Sequence, residues 1–187
     1  MTDFQLHNLD CEGAILIDSI HFGDARGGMT KYFEKDMYAT NGIGFKLQET
    51  FASVSEKNVV RGLHFQIHNP QAKLVCVLCG SVWDVIVDLR PRSKTYRKWV
   101  SIELTAENFR CLYIPRGFAH GFLSREDNTV VLYECDGKYD KHTDSGIRYD
   151  DPDINIDWPI ESTESIHSER DLTLPSYQEY LRHPMEL

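Results

Sequence analysis

Lys73-Leu74-Val75-Cys76-Val77-Leu78-Cys79-Gly80-Ser81-Val82-Trp83-Asp84-Val85-Ile86-Val87-Asp88-Leu89-Arg90 is the stretch that decides the fold class. Leu74 to Leu78 is an unbroken apolar run of strand length, and Cys79-Gly80-Ser81 is a turn signal. From Val82 onward the chain alternates. Asp84 and Asp88 fall on one face, and Trp83, Val85, Val87 and Leu89 on the other. The two runs predict a β-hairpin in the middle of a sheet. Outward from it, short strands are expected at Gly44–Glu49, Trp99–Leu104, Cys111–Ile114, Gly121–Leu123 and Thr129–Cys135. Turn-forming clusters such as Pro91-Arg92-Ser93 and Arg125-Glu126-Asp127-Asn128 separate them. Many short strands at this spacing predict an all-β sandwich, jelly roll or barrel. Helix is expected only at Thr30–Tyr38 and at Ser176–Arg182, where Ser176 and Glu179 have capping-box spacing. The aspartate-rich stretch Asp136–Asp157 reads as loops wrapping the sheets, and residues 160–187 as a peripheral tail.

The chain has 187 residues, with 41% apolar and 26% charged, which suits one globular domain able to bury roughly 70% of its unfolded surface. Acidic residues outnumber basic ones by 29 to 20, for a net charge of −9. That balance argues against a nucleic-acid face or charge-driven membrane binding, while leaving room for a small anionic ligand where a few cations converge. No apolar run approaches a membrane span and the first ten residues lack a secretory pattern. The five cysteines include Cys76-x-x-Cys79, which has no second pair to make a zinc ribbon and lies in a strand-like run. Buried, reduced cysteines and a cytoplasmic location are the expectation.

Two constellations could carry chemistry. In Arg61-Gly62-Leu63-His64-Phe65-Gln66, followed by Lys73, a strand would put His64 and Gln66 on one face. In Ile114-Pro115-Arg116-Gly117-Phe118-Ala119-His120-Gly121-Phe122, the Pro-x-Gly-x-x-His spacing resembles the second motif of cupins, which are double-sheet jelly rolls. The first cupin motif would supply His-x-His and then Glu. Here it reads His64-Phe65-Gln66, and His68 has the wrong parity, so no metal is expected.

Taken together, the chain resembles the dTDP-4-dehydrorhamnose 3,5-epimerase family. The matching pieces are Phe22-Gly23-Asp24-Ala25-Arg26-Gly27, Val59 to Gln66, Gln71 to Val75, Gly80 to Arg90, Leu104 to Asn108 and Ile114 to Phe122. Tyr133, Tyr139, Tyr149-Asp150-Asp151-Pro152 and Ile156-Asp157-Trp158-Pro159 continue the match over roughly residues 15–159. The resemblance implies an all-β jelly-roll cupin with a few short helices, a homodimer, and no metal or other cofactor. It also implies a nucleoside-diphosphate 4-keto-6-deoxy sugar as substrate, inverted at C3 and C5 through an enolate. The residues before Ile15 could form an edge strand reaching a second subunit.

Such chemistry needs a base, an acid on the far side of the sugar and a group to hold the enolate oxygen. By the resemblance, His64 is the base, Asp151 the carboxylate that orients it, Tyr133 the proton donor and Lys73 the cation near the enolate. Arg26 and Arg61 match diphosphate contacts, and Gln66, His120 and Tyr139 match residues in or beside the pocket. Plain structural readings stand beside these roles. Tyr133 could be core, Asp151 a turn cap before Pro152, Lys73 a solvated strand start, and Arg61 the partner of an acid.

Departures fall at the nucleotide end. Lys31 stands where the family usually has Glu, Glu49 where it has Gln, Phe51 where it has Asn, and Arg116 where it has Glu. They leave open whether the nucleotide is dTDP, CDP or GDP, and whether one carbon or both are inverted. A non-catalytic sugar-nucleotide binding module on the same fold is the reading from another class.

Overall fold

The computed structural model describes residues 3–187. In chain order the elements are β1 (Gln5–Asn8), β2 (Ile15–Asp18), β3 (Ile20–Asp24), β4 (Gly27–Lys31), α1 (Lys35–Thr40), β5 (Glu49–Ser55), β6 (Val60–Gln66) and β7 (Lys73–Cys79). They continue with β8 (Ser81–Asp88), β9 (Trp99–Thr105), β10 (Arg110–Ile114), β11 (Phe118–Ser124), β12 (Thr129–Cys135), β13 (Asp144–Gly146), α2 (Glu169–Leu172) and α3 (Tyr177–Tyr180). A six-stranded sheet, β1-β2-β10-β7-β12-β5, lies against a five-stranded one, β13-β6-β11-β8-β9, and β3-β4 forms a separate ribbon. Every pairing between these strands is antiparallel. The result is the expected all-β, double-sheet jelly roll. Val75 and Val77 of β7, Leu112 and Ile114 of β10 and Val131 of β12 meet Val82 and Ile86 of β8, Leu104 of β9 and Phe122 of β11 in the shared core.

The expected hairpin is a correction. β7 pairs with β10 and β12, whereas β8 pairs with β11 and β9, so the two runs lie in different sheets. Gly80, at φ +73°, turns the chain from one sheet to the other beside Thr129. A turn signal between two apolar runs marks a reversal; it does not say whether the strands then pair or pack face to face. The face carrying Asp84 and Asp88 is fully buried, and both carboxylates are hydrogen-bonded.

Three boundaries differ from expectation. The strand expected at Gly44–Glu49 begins only at Glu49. Ile43 and Phe45 instead bury with Tyr38 over Leu74, Cys76 and Cys111, on the outer side of the six-stranded sheet. The first helix starts at Lys35, because Thr30 and Lys31 belong to β4, whereas Ser176 caps α3 in the expected capping box. Residues 160–187 are not peripheral. Tyr177, Tyr180 and Met185 are buried with Leu63, Phe65, Val87, Leu89 and Ile147 on the outer side of the five-stranded sheet. The N-terminal edge strand exists, and it pairs with β2 of its own chain. All five cysteines are free; Cys79 is exposed and the other four are buried.

Gly80→Ala tests the sheet-to-sheet turn. A Cβ there adopts a left-handed conformation costing about 1–2 kcal/mol and meets Thr129, whose Cα would lie at 3.1 Å. Urea unfolding should show a stability loss of about 1–3 kcal/mol with an unchanged m-value.

Candidate active site

The two sheets leave a cavity of about 470 Å³ between them. Glu49, Phe51 and Ser53 of β5, Lys73 of β7 and Tyr133 of β12 line it from the six-stranded sheet. Arg61, His64 and Gln66 of β6, His120 of β11 and Asp144 of β13 line it from the other, with Tyr139 and Arg170 at its margin. Pairing in antiparallel register puts His120 directly opposite His64. Gly62 makes this possible: a Cβ on it would stand 2.5 Å from the Cα of Gly121, so β6 and β11 come this close only because both residues are glycine.

His64 Nε2 donates to Asp171 Oδ1 at 2.7 Å. Asp171 is 3% exposed and sits in the first turn of α2, where its backbone N–H donates to the Ser168 hydroxyl. Asp151, expected in this role, is elsewhere. Its carboxylate accepts from the backbone N–H groups of Asp153, Ile154 and Tyr177, so it caps a turn and anchors α3. The sequence carried no visible sign of Asp171 beyond a possible Ser168-x-x-Asp cap, and 107 residues separate it from His64. Arg170, also missed, lies 2.9 Å from His64 Nε2 and 3.3 Å from Asp171 Oδ1, and donates to Asp144 Oδ2 at 2.7 Å. With the Nε2 proton directed at Asp171, the Arg170 N–H is satisfied by the carboxylates. Nδ1 of His64 then keeps its lone pair.

The pocket's environment tunes each group. Burial pushes His64 below its ordinary pKa; the hydrogen bond to Asp171 opposes this, and the charges of Arg170 and Lys73 reinforce it. Burial also raises Asp171, but the hydrogen bond and charge of His64 outweigh it and hold the carboxyl below its usual range. Lys73 is lowered by desolvation, and among the described residues its ammonium has no ion pair or hydrogen bond. Tyr133 is 8% exposed and is raised by burial, with the charge of Asp84 next. His120 Nε2 donates to Asp84 Oδ2 at 2.9 Å, in a pair whose histidine is 4% and whose carboxylate is 0% exposed; burial raises Asp84.

The remaining expected contacts divide. Arg61 donates to Ser55 Oγ and the Val54 carbonyl and forms no ion pair among the described residues, so its charge is free for a ligand. Gln66 and Glu49 do line the cavity, yet both also hold the loop after β12. Gln66 Oε1 accepts from Asp140 N–H, its Nε2 donates to the Lys138 carbonyl, and Glu49 accepts from Tyr139 N–H. Tyr139 donates through its hydroxyl to Asp144. Phe51 stacks on Tyr133. Arg26 and Lys31 lie apart from these residues. They lie on the β3–β4 ribbon, paired with Asp24 and Glu34, and do not line the cavity of their own chain, because the ribbon is not part of either sheet. Among the described residues no three metal-binding side chains converge, since each pocket histidine is engaged by its own carboxylate.

A carboxylate-bound histidine facing a cavity shared with a buried phenol and an unpaired ammonium defines an enzyme that moves protons on a carbonyl-bearing substrate. The chain belongs to the dTDP-4-dehydrorhamnose 3,5-epimerase family, whose family model matches residues 8–179, a span that includes Asp171. It is 43% identical over 172 residues to the dTDP-4-dehydrorhamnose 3,5-epimerase of Methanothermobacter thermautotrophicus, covering 91% of this chain and 93% of that one. The Legionella pneumophila enzyme in complex with dTDP-4-keto-L-rhamnose superposes with a TM-score of 0.88 at 34% identity, covering 94% of this chain and all of that one. A 3'-monoepimerase from Streptomyces bikiniensis, in complex with dTDP-quinovose, is also similar, with a TM-score of 0.86 at 28% identity over 94% and 89% of the two chains.

If His64 is the group that accepts a proton it must be neutral, and kcat/KM should fall as pH drops through a value below 6.5. If the Lys73 ammonium is required, activity should also fall as pH rises through a value below 10.5. Asp171→Asn removes the contact that raises His64, so the acid limb should move to lower pH. The plateau should drop about 10²-fold or more as the imidazole loses its orientation. A pH–rate profile of both proteins checks this.

Proposed function

We propose that this chain converts dTDP-4-dehydro-6-deoxy-D-glucose to dTDP-4-dehydro-L-rhamnose by inverting C3 and then C5, or the reverse, without a metal. The His64–Asp171 hydrogen bond carries the reading, because it leaves one imidazole nitrogen free and basic in a cavity that also holds Tyr133 and Lys73.

The C–H bonds at C3 and C5 are acidic because both carbons flank the C4 ketone. His64 Nδ1 takes the proton, the electron pair moves into the ring, and the C4 oxygen becomes an enolate. Asp171 holds the imidazole and stabilises the imidazolium that forms. Lys73 stabilises the enolate oxygen, where a charge in a desolvated site acts strongly. Tyr133 returns a proton to the opposite face of the carbon, and its raised pKa keeps the phenol protonated until it donates. His120, held by Asp84, lines the floor, and Arg61 meets the diphosphate with a guanidinium no carboxylate has claimed.

A homodimer and a cytoplasmic location belong to the same reading. Phe22 and Met29 on the β3–β4 ribbon are 52% and 66% exposed, a surface suited to burial against a second copy. In such a dimer the ribbon's Arg26 would be free to reach the partner's cavity.

Proton NMR in D₂O with dTDP-4-dehydro-6-deoxy-D-glucose tests the activity. Loss of both the C3 and C5 proton signals is expected; loss of one would restrict the enzyme to a single carbon, and no loss would overturn the reading. His64→Ala should keep the fold, read by circular dichroism, and lose about 10²–10⁴-fold or more in exchange rate. Arg61→Ala should raise KM more than it lowers kcat. Light scattering after size exclusion should give twice the mass of one chain.

A further inference from the structure

We infer that Phe51 is a positioning residue for Tyr133, holding the phenol so that each enolate is reprotonated on the face opposite His64. This rests on the epimerase reading above. Phe51 and Tyr133 are direct partners across the β5–β12 ladder, and their rings stack at 4.8 Å between centroids with 13° between planes. The His120 ring centroid lies 5.9 Å from that of Tyr133 at 71°, so the phenol is held between a stacked ring and an edge-on one.

Other devices for aiming the phenol are weak here. The Ser53 hydroxyl, two residues along β5 in the same cavity, lies near enough to the Tyr133 phenol to oppose the rise in its pKa, yet among the described residues it makes no hydrogen bond of ordinary length. Tyr133 is 8% exposed and Phe51 is 48% exposed, because β5 is the outer strand of its sheet. An apolar ring is thus left half in solvent at a position where it covers one face of the Tyr133 ring. Offset aromatic stacking restricts ring rotation and keeps water off that face.

The chemistry makes that restraint consequential. Once His64 has taken the proton, the enolate carbon has two fates. It receives a proton from the Tyr133 hydroxyl on the far side, which inverts the centre; the phenolate then takes a proton from solvent and the imidazolium gives its own up to solvent. Otherwise it recovers a proton from the imidazolium on the near side, which restores the original configuration. In D₂O, an imidazolium that has exchanged with solvent delivers deuterium without inversion. The ratio of inversion to deuterium uptake therefore reports how well the phenol is aimed, and a residue that only binds nucleotide or supports the fold does not move it.

Initial rates of deuterium uptake and of inversion at C3 and C5 are measured by NMR with dTDP-4-dehydro-6-deoxy-D-glucose for the wild type, Phe51→Ala, Phe51→Leu and Phe51→Tyr. The wild type should invert close to once per uptake. Phe51→Ala and Phe51→Leu should lower that ratio about threefold or more with KM little changed, and Phe51→Tyr, which keeps the stack, should restore it. Phe51→Leu carries the test if Phe51→Ala melts too low to assay. An unchanged ratio in folded Phe51→Leu overturns the inference, and a raised KM alone would make Phe51 a nucleotide contact. A wild type that takes up no deuterium overturns the epimerase reading itself, and this inference with it.

Discussion

Desolvation of ionisable groups between two sheets is the constraint around which this molecule is arranged. A charge moved from water into a protein interior is costly unless it is paired, and an unpaired group shifts toward its neutral form. The cavity holds each of these cases. Asp84 is fully buried and has His120 against one oxygen, while its other oxygen has no partner among the described residues. Lys73 has none of its own and is pushed down; His64 is pushed down despite Asp171; Tyr133 is pushed up. The same burial that would destabilise a simple core favours a neutral imidazole and a protonated phenol at neutral pH. That is the combination general acid–base chemistry requires.

The C-terminal segment links this chemistry to the packing. Tyr177, Tyr180 and Met185 cover the outer side of the five-stranded sheet, and Asp151 fastens α3 by its first backbone N–H. Covering that surface brings α2 against β6. There Asp171 can reach His64 and also lies 3.4 Å from the Gly62 N–H. A segment that reads as a polar tail thus completes the apolar packing of one sheet and supplies the carboxylate of the site. Asp151 and Asp171 illustrate how little residue type alone conveys. Both are nearly fully buried aspartates engaged in hydrogen bonds to backbone N–H groups, and only one of them has an imidazole in reach.

Local and global charge are separate quantities here. The chain carries a net charge of −9, yet Arg61, Lys73 and Arg170 converge on one cavity, and among the described residues Arg61 has no acidic partner. Low-dielectric walls let such a cluster act on a ligand at short range while the acidic exterior is screened by salt. An acidic protein can in this way hold an anionic nucleotide.

By itself the sequence determined the all-β class, because period-two alternation and regularly spaced turns have no helical reading. It also determined the capping box at Ser176 and the placing of His64, Gln66, Lys73 and Tyr133 in strands. Register along a strand fixes which residues share a face, so His64 and Gln66 were legible as a pair, while Lys73, His120 and Tyr133 joined them only through the family resemblance. Tertiary structure alone decided that the runs before and after Gly80 occupy different sheets, since an apolar run buries equally well beside or across from its neighbour. It also decided that Asp171 serves His64 and that the β3–β4 ribbon carries Arg26 and Lys31 away from their own chain's cavity. Phe51 came to lie on Tyr133 through the pairing of β5 with β12. Contacts between residues far apart in sequence depend on how whole elements pack, and no local pattern of residue types encodes that.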